Sequence, residues 1–153
     1  MTTHAPTALT PLAQLRLLFS MNHSLLTKNL DGVTDVLATT KPGDGNAIAW
    51  SLGHIVYWRQ TILAMLGGRP VWNEGDAEGF KGTSRDLPAT IDKPWSEIRD
   101  AYRESHERLM AALAASDPEP EALKGLTQLQ CHETYHVGQI ALARRVIGLP
   151  GAI

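Results

Sequence analysis

Two histidines lie four residues apart near the C-terminus, in the run His132-Glu133-Thr134-Tyr135-His136. On a helix such residues are about 40° apart around the axis, so both imidazoles can bind one metal ion. Their helical face also carries Leu129, Ile140, Ala143 and Ile147. An unpaired imidazole in that apolar setting costs free energy. The spacing therefore predicts a metal-binding pair, with two hydrogen-bonded core histidines as the alternative.

The same run matches H-E-x-x-H, the motif of zinc metalloproteases, in which Glu133 would be the general base. Residues 137–153 contain no His, Asp or Glu, so a downstream third ligand is missing. The sequence also has no strand pattern that would hold an extended peptide. We therefore expect the third ligand upstream, and an interhelical or surface ion pair for Glu133.

His54 is the best upstream candidate, because it lies inside the most apolar segment, NAIAWSLGHIVYW. The other upstream histidines, His4, His23 and His106, lie at the terminus or on less buried segments. Three neutral histidines leave coordination positions open, as in catalytic sites. An ion bound there activates water or a thiol, or polarises a carbonyl.

Five further residues are candidates for the pocket or for support of the ligands. Trp50 and Trp58 lie one helical turn before and after His54, and Gln139 follows His136 on the same face. Asn22 interrupts the apolar stripe of the first helix, and His106 lies on the inward stripe of the third. A buried amide and a structural histidine are the alternatives for these last two. Cys131 points away from His132 and is expected in the core.

Four helices and no convincing strand are predicted, over residues 11–30, 46–66, 94–115 and 127–148. Thr10 is the expected N-cap of the first, followed by Pro11 at the first helical position. Thr127 and Gln130 match a capping box for the fourth. The fold class is therefore all-α.

The connections predict how the helices are arranged. The short link between the third and fourth helices favours antiparallel neighbours. The long loop between helices two and three, residues 67–93, contains five glycines and can run the length of a bundle of roughly 30 Å. A long ordered loop of this kind often covers a site.

Composition bounds the class of protein. A chain of 153 residues with 43% hydrophobic and 20% charged residues fits one globular domain, residues 1–153. A net charge of −2 argues against nucleic acid as a partner. One cysteine excludes an internal disulfide and fits a cytoplasmic protein. No signal peptide and no membrane-spanning stretch is visible.

Two motifs together resemble the DinB/YfiT-like family: AWSLGHIVYWRQ and, about 75 residues later, CHETYHVGQIALARRVIG. The intervening loop, VWNEGDAEGFKGTS, is also similar. The resemblance covers nearly the whole chain and implies a four-helix bundle with up-down-down-up connectivity, often dimeric. It implies that His54, His132 and His136 match the family's metal triad, which binds zinc, nickel or a similar divalent ion.

Relatives in this family include thiol S-transferases that use bacillithiol and a mycothiol-dependent maleylpyruvate isomerase. In the isomerase-like branch a glutamate stands at the position of His132, so this chain departs from that pattern. The leading hypothesis is thus a metal-dependent transferase that joins a low-molecular-weight thiol to a small-molecule substrate, as a homodimer. A metal-dependent hydrolase and a non-catalytic metal or small-molecule binding module are the alternatives.

Overall fold

The computed structural model describes residues 8–82 and 91–152, and within these ranges the secondary structure is entirely helical. The helices are α1 (Pro11–Leu30), α2 (Asp35–Thr39), α3 (Ile48–Met65), α4 (Glu74–Glu78), α5 (Trp95–Ala115) and α6 (Pro120–Val146). The predicted all-α class is confirmed. Four of the helices are long and correspond to the four that the sequence predicts; α2 and α4 are single short turns that were not predicted.

The start of α1 follows the predicted capping chemistry. The Thr10 hydroxyl accepts a hydrogen bond from the Ala13 amide at 3.2 Å, and Pro11 occupies the first turn, where it has no N–H to leave unpaired. After the helix, Gly32 has a φ of +73°, which only glycine adopts at low cost. Both ends of α1 are thus set by local sequence.

The predicted start of the last helix was wrong. Helix α6 begins at Pro120, seven residues before the expected cap at Thr127. The Thr127 hydroxyl instead donates to the Leu123 carbonyl at 2.8 Å, one turn back inside the helix. Proline is favoured in the first helical turn, and Pro120 supplies this start signal in α6. The helix is therefore 27 residues long, and both metal-motif histidines lie far from its ends.

Helix α3 is the central element, as its apolar sequence predicts. Twelve of its 18 residues are buried, and it packs against both α5 and α6. Helices α3 and α6 run in opposite directions. Gly125 near the start of α6 lies beside Met65 at the end of α3, whereas Glu133, further along α6, pairs with Arg59, which lies earlier in α3. This pairing places the middle of α3 opposite the middle of α6.

The contacts between α1 and α6 show that these two helices run in the same direction. The Asn22 amide donates to the Thr134 hydroxyl at 3.1 Å, and further along Arg144 donates to the Asn29 carbonyl at 2.9 Å. Asn22 is buried, as its position in the apolar stripe suggested, and so is Asn29. Helix α1 therefore covers the side of α6 that does not face solvent or α3.

The segment between α3 and α5 folds back onto the main core. Asn73 caps α4 through its side-chain oxygen, and Trp72 and Phe80 on either side of α4 are 6% and 3% exposed. Both belong to the core cluster that contains Ile55 and Trp95. Within the described ranges, no helix combines the length and hydropathy needed to cross a membrane.

Candidate metal centre

Three histidines from two helices converge in the bundle interior. His54 comes from α3, and His132 and His136 come from α6; one ring nitrogen from each lies within 4.8 Å of the others. The Nε2 atoms of His132 and His136 are 3.1 Å apart. Two nitrogens bound to one tetrahedral ion at about 2.0 Å are separated by about 3.3 Å. The pair on α6 thus already has a chelating separation.

The ring planes of these three histidines cross one another. His54 is inclined at 59° to His132 and at 69° to His136, and the two rings on α6 are inclined at 73°. A metal ion must lie close to the plane of each imidazole that binds it, because the nitrogen lone pair lies in that plane. Crossing planes share such a point, so the three lone pairs can be directed at one ion.

Two neighbours fix the tautomer of His54. Its Nδ1 lies 2.7 Å from the Phe80 carbonyl, which only accepts hydrogen bonds, and its Nε2 lies 2.9 Å from the Trp58 indole N–H, which only donates. The hydrogen is therefore on Nδ1, and the lone pair is on Nε2. A carbonyl partner on the non-coordinating nitrogen is the usual arrangement for a metal-binding histidine.

Burial keeps all three imidazoles neutral. It lowers the pKa values of His54 and His132 below the ordinary 6.5, and lowers that of His136 to about 3, where the neighbouring His54 and His132 add to the effect. A neutral imidazole has a free lone pair, whereas a protonated one cannot bind a metal ion. The donor set and its protonation state fit a divalent transition-metal ion.

The two predicted tryptophans both contact His54. Trp50 stacks on the imidazole with a centroid distance of 4.6 Å and is buried. Trp58 is half-buried, donates to Nε2, and also packs edge-on against His132 at 5.4 Å. The two rings thus form an aromatic wall on the α3 side of the centre. Such a wall excludes water from the ligand atoms on that side.

Gln139 lies one turn beyond His136 on α6. Its amide nitrogen donates to the Tyr135 hydroxyl at 2.7 Å, and its side chain also interacts with His136, raising the pKa of that imidazole against the larger lowering by burial. The expected core position of Cys131 was wrong: its side chain is exposed, because it lies on the face of α6 opposite the packed one.

The other two candidates lie at different contacts. Asn22 is engaged with Thr134 across the α1–α6 interface. His106 stacks face to face on His23, with a centroid distance of 3.8 Å and an angle of 5° between the rings. Neither has a recorded contact with the three convergent histidines in the part of the chain that is described. The structure therefore brings Trp50 and Trp58 to the centre, and places Asn22 and His106 elsewhere.

Glu133, the glutamate of the H-E-x-x-H run, forms a buried ion pair. Its two carboxylate oxygens accept hydrogen bonds from Arg59 Nε and Nη2, both at 2.8 Å. The side chain of Arg59 is 0% exposed and that of Glu133 is 4% exposed. Arg59 also donates to the Tyr102 carbonyl and the Ser105 hydroxyl. A carboxylate held in this way is not free to activate water, which excludes the protease-like role for Glu133. The predicted interhelical ion pair is confirmed.

Sequence reasoning missed the Phe80 carbonyl as the partner of His54. A backbone group carries no residue-type signal, and it reaches His54 only because the loop folds back over 26 positions. The sequence did contain a signal for the ion pair of Arg59, because a lone arginine in an otherwise apolar helix needs a buried acidic partner.

Comparison with known families gives one match. The family model described as the DinB superfamily matches residues 18–140, about four-fifths of the chain, and this range contains all three convergent histidines. No curated protein matches the sequence significantly.

Proposed function

Because the chain belongs to the DinB superfamily, we propose that His54, His132 and His136 bind one divalent metal ion and that the bound ion serves a thiol-transfer reaction. The observation that supports this is the convergence of three neutral imidazole nitrogens within 4.8 Å, from helices far apart in sequence. Zinc and nickel are the ions we favour, since imidazole ligands suit both.

The chain's own residues would prepare the ligands. The Phe80 carbonyl holds the Nδ1–H of His54 and leaves the lone pair on Nε2, where a metal ion would replace the Trp58 indole N–H, while the four-residue spacing on α6 holds His132 and His136 together. Trp50 and Trp58 shield one side of the centre. Three protein ligands leave at least one coordination position for a substrate atom.

A thiol is the substrate class that we propose for the open position. When bound, a divalent ion would lower the pKa of a coordinated thiol; the thiol proton would pass to solvent, and the thiolate would attack an electrophilic small molecule as its leaving group departs. Hydrolysis through the same centre is less well supported, because the one glutamate in the motif is held by Arg59 and is not free to act as a general base.

We further propose the up-down-down-up connectivity for the four long helices. The parallel order of contacts between α1 and α6 and the opposite order between α3 and α6 support it. A single domain over residues 1–153, a homodimer and a cytoplasmic location complete the proposal: length and composition support the domain, the single cysteine supports the location, and the family resemblance supports the homodimer.

Metal analysis of matched histidine variants tests the ligand set. We expect His54→Ala to lower zinc or nickel affinity by roughly 100-fold, since one of three metal–nitrogen bonds is lost. His106→Ala, a histidine of the same bundle outside the centre, should retain the affinity of the unmodified protein. Equal metal content in the two variants, measured by elemental analysis after dialysis, would refute this ligand set.

The reaction class is tested with the cobalt-substituted protein. If a thiol binds the ion, low-molecular-weight thiols should add a sulfur-to-metal absorption band in the near ultraviolet, and His54→Ala should abolish it. Turnover is then assayed with thiol and electrophile panels beside an ester and amide panel. Hydrolysis without thiol dependence would favour a hydrolase, and retained metal without any turnover would favour a binding module.

A further inference from the structure

Gly53 and Phe80 meet at a contact that leaves no room for a side chain on the helix. A Cβ built on Gly53 would lie 2.2 Å from Cδ1 and Cε1 of the Phe80 ring and 2.8 Å from its Cγ. Real Cβ atoms do not approach other atoms this closely. The Phe80 ring is 3% exposed and lies in the main core, so it has little freedom to move away. Position 53 must therefore be glycine for the loop to pack here.

The segment Trp72–Phe80 is held against α3 at its other end as well. The Trp72 backbone N–H donates to the Gln60 side-chain oxygen at 2.6 Å. The Trp72 ring stacks on Phe80, with a centroid distance of 5.0 Å and an angle of 20°. The Lys93 ammonium lies 5.4 Å from the centre of the Trp72 ring. The segment thus docks as one unit, and Phe80 is its contact point on the helix.

This docking delivers the Phe80 carbonyl to His54, the residue next to Gly53. The carbonyl oxygen is 2.7 Å from Nδ1, a distance that depends on how closely the Phe80 backbone approaches α3. If the segment moved outward by an ångström or more, this hydrogen bond would be lost. Nothing else in the described structure accepts from Nδ1, so the ring would be held only at Nε2, by the Trp58 indole N–H, and its tautomer and orientation would rest on one contact instead of two.

We propose that Gly53 and Phe80 are positioning residues for the metal centre: the missing side chain at position 53 lets Phe80 pack close enough for its carbonyl to fix the tautomer and orientation of His54. Metal affinity then depends on the docking of the segment Trp72–Phe80, although this segment provides no ligand. The part that concerns affinity rests on the proposed metal centre, whereas the part that concerns the tautomer does not.

The test compares two glycine-to-alanine substitutions in helix interiors. Gly53→Ala places a methyl group against Phe80. Gly138→Ala, on α6 two residues after His136, is the matched control, because a Cβ there meets no described atom within 4 Å. Alanine is the better helix former by about 1 kcal/mol, so the control should be at least as stable as the unmodified protein.

Two measurements are made on each protein. Long-range ¹H–¹⁵N spectra of the metal-free protein report which nitrogen of His54 carries the hydrogen, and zinc competition titrations report affinity. We expect Gly53→Ala to lose the single Nδ1–H tautomer and to bind zinc roughly 10- to 100-fold more weakly, the usual cost of losing a partner that orients a ligand. Gly138→Ala should match the unmodified protein in both.

A second-site variant separates docking from damage to α3. Phe80→Ala keeps the carbonyl and removes the ring that the new methyl group would strike. The double variant Gly53→Ala/Phe80→Ala should therefore match Phe80→Ala alone in tautomer and in zinc affinity. If Gly53→Ala lowers zinc affinity as much in the Phe80→Ala background as in the unmodified protein, the alanine acts by distorting the helix and the proposal is wrong.

The outcomes also separate this proposal from the proposed function. An unchanged tautomer and unchanged zinc affinity in Gly53→Ala overturn the positioning role. A loss of affinity of the same size in Gly138→Ala overturns it too. If the unmodified protein binds neither zinc nor nickel, the metal centre fails, while a tautomer that depends on Gly53 still supports the positioning of His54.

Discussion

The bundle holds two clusters of histidines that differ in how their rings face one another. In the candidate metal centre, formed by His54, His132 and His136, the ring planes cross at 59° to 73°. In the second cluster, His23 from α1 and His106 from α5 are stacked at 3.8 Å with planes only 5° apart. Both clusters are partly buried, and burial lowers the imidazole pKa values in both.

The difference teaches that closeness of histidines does not by itself make a metal site. The lone pairs of two parallel rings lie in planes that never meet, so no ion can be in line with both. The stacked pair instead behaves as aromatic packing, extended by the Tyr102 ring at 5.0 Å from His23. The planes of the crossing rings do meet, so these three rings can direct their lone pairs at one ion, whereas the stacked pair cannot.

Arg59 lies between the two clusters and offers the strongest way to disturb both. Replacing it by methionine should lower the free energy of unfolding by about 3–5 kcal/mol, because Glu133 would remain buried without its counter-charge. Urea denaturation of the metal-free protein measures this loss. The substitution also removes the charge that contributes to the lowered pKa values of His23 and His106.

Two controls define that result. The double variant Arg59→Met/Glu133→Leu removes both charges and should recover most of the stability. Arg103→Met breaks an exposed ion pair with Asp100 and should change the stability by less than about 1 kcal/mol. A loss in Arg103→Met as large as that in Arg59→Met would show that the buried pair has no special role.

Lowering the pH should destabilise the folded protein through the stacked pair of His23 and His106. Burial, together with the nearby Arg59 charge, lowers the pKa values of His23 and His106 to about 4, from 6.5 in the unfolded chain. Between these two values the unfolded state binds more protons than the folded state. The stability that the stacked pair contributes is therefore fully present above pH 6.5, falls as the pH decreases toward 4, and is lost below it.

The contribution of the pair is isolated with His106→Phe, which keeps an aromatic ring against His23. The melting temperature of this metal-free variant should fall less between pH 7 and pH 4.5 than that of the unmodified protein. The three histidines of the metal centre contribute to the slope in both proteins and cancel in the comparison. Equal slopes in scanning calorimetry would contradict the assignment to this pair.

The smallest effect is expected at Trp58, whose indole N–H occupies the lone pair of His54 that a metal would use. Trp58→Phe removes this competing hydrogen bond, worth roughly 1 kcal/mol, and should raise zinc affinity about fivefold. Trp50→Phe is the control: Trp50 also stacks on His54, but its indole N–H has no hydrogen-bond partner in the described chain. Equal affinities in competition titrations would contradict this role.

Much of the helical framework could be predicted from the sequence. The stripe of leucines and the cap at Thr10 located α1, and the nearly continuous apolar run predicted that α3 is buried. The histidine spacing on α6 and the apolar setting of His54 were enough to select the three residues that converge. These predictions succeeded because periodicity and burial cost are local properties of the chain.

The predictions that were wrong or missing concern places where two local signals compete or where the contact is made by residues distant in the sequence. The capping pattern at Thr127 is a genuine local signal, but Pro120 started the helix earlier and the threonine was absorbed into it. Cys131 was expected in the core, yet it lies at the exposed edge of α6. The Phe80 carbonyl could not be predicted at all, because only the folded loop brings it to His54.

The wide separation of the three candidate ligands along the chain bears on when the proposed metal ion could bind during synthesis. His54 is made early, whereas His132 and His136 follow roughly 80 residues later, at rates of about 5–20 residues per second during synthesis. A ribosome-bound fragment that ends before α6 therefore carries a single histidine of the three. Metal loading would have to wait until the last helix has been synthesised and has packed against α3.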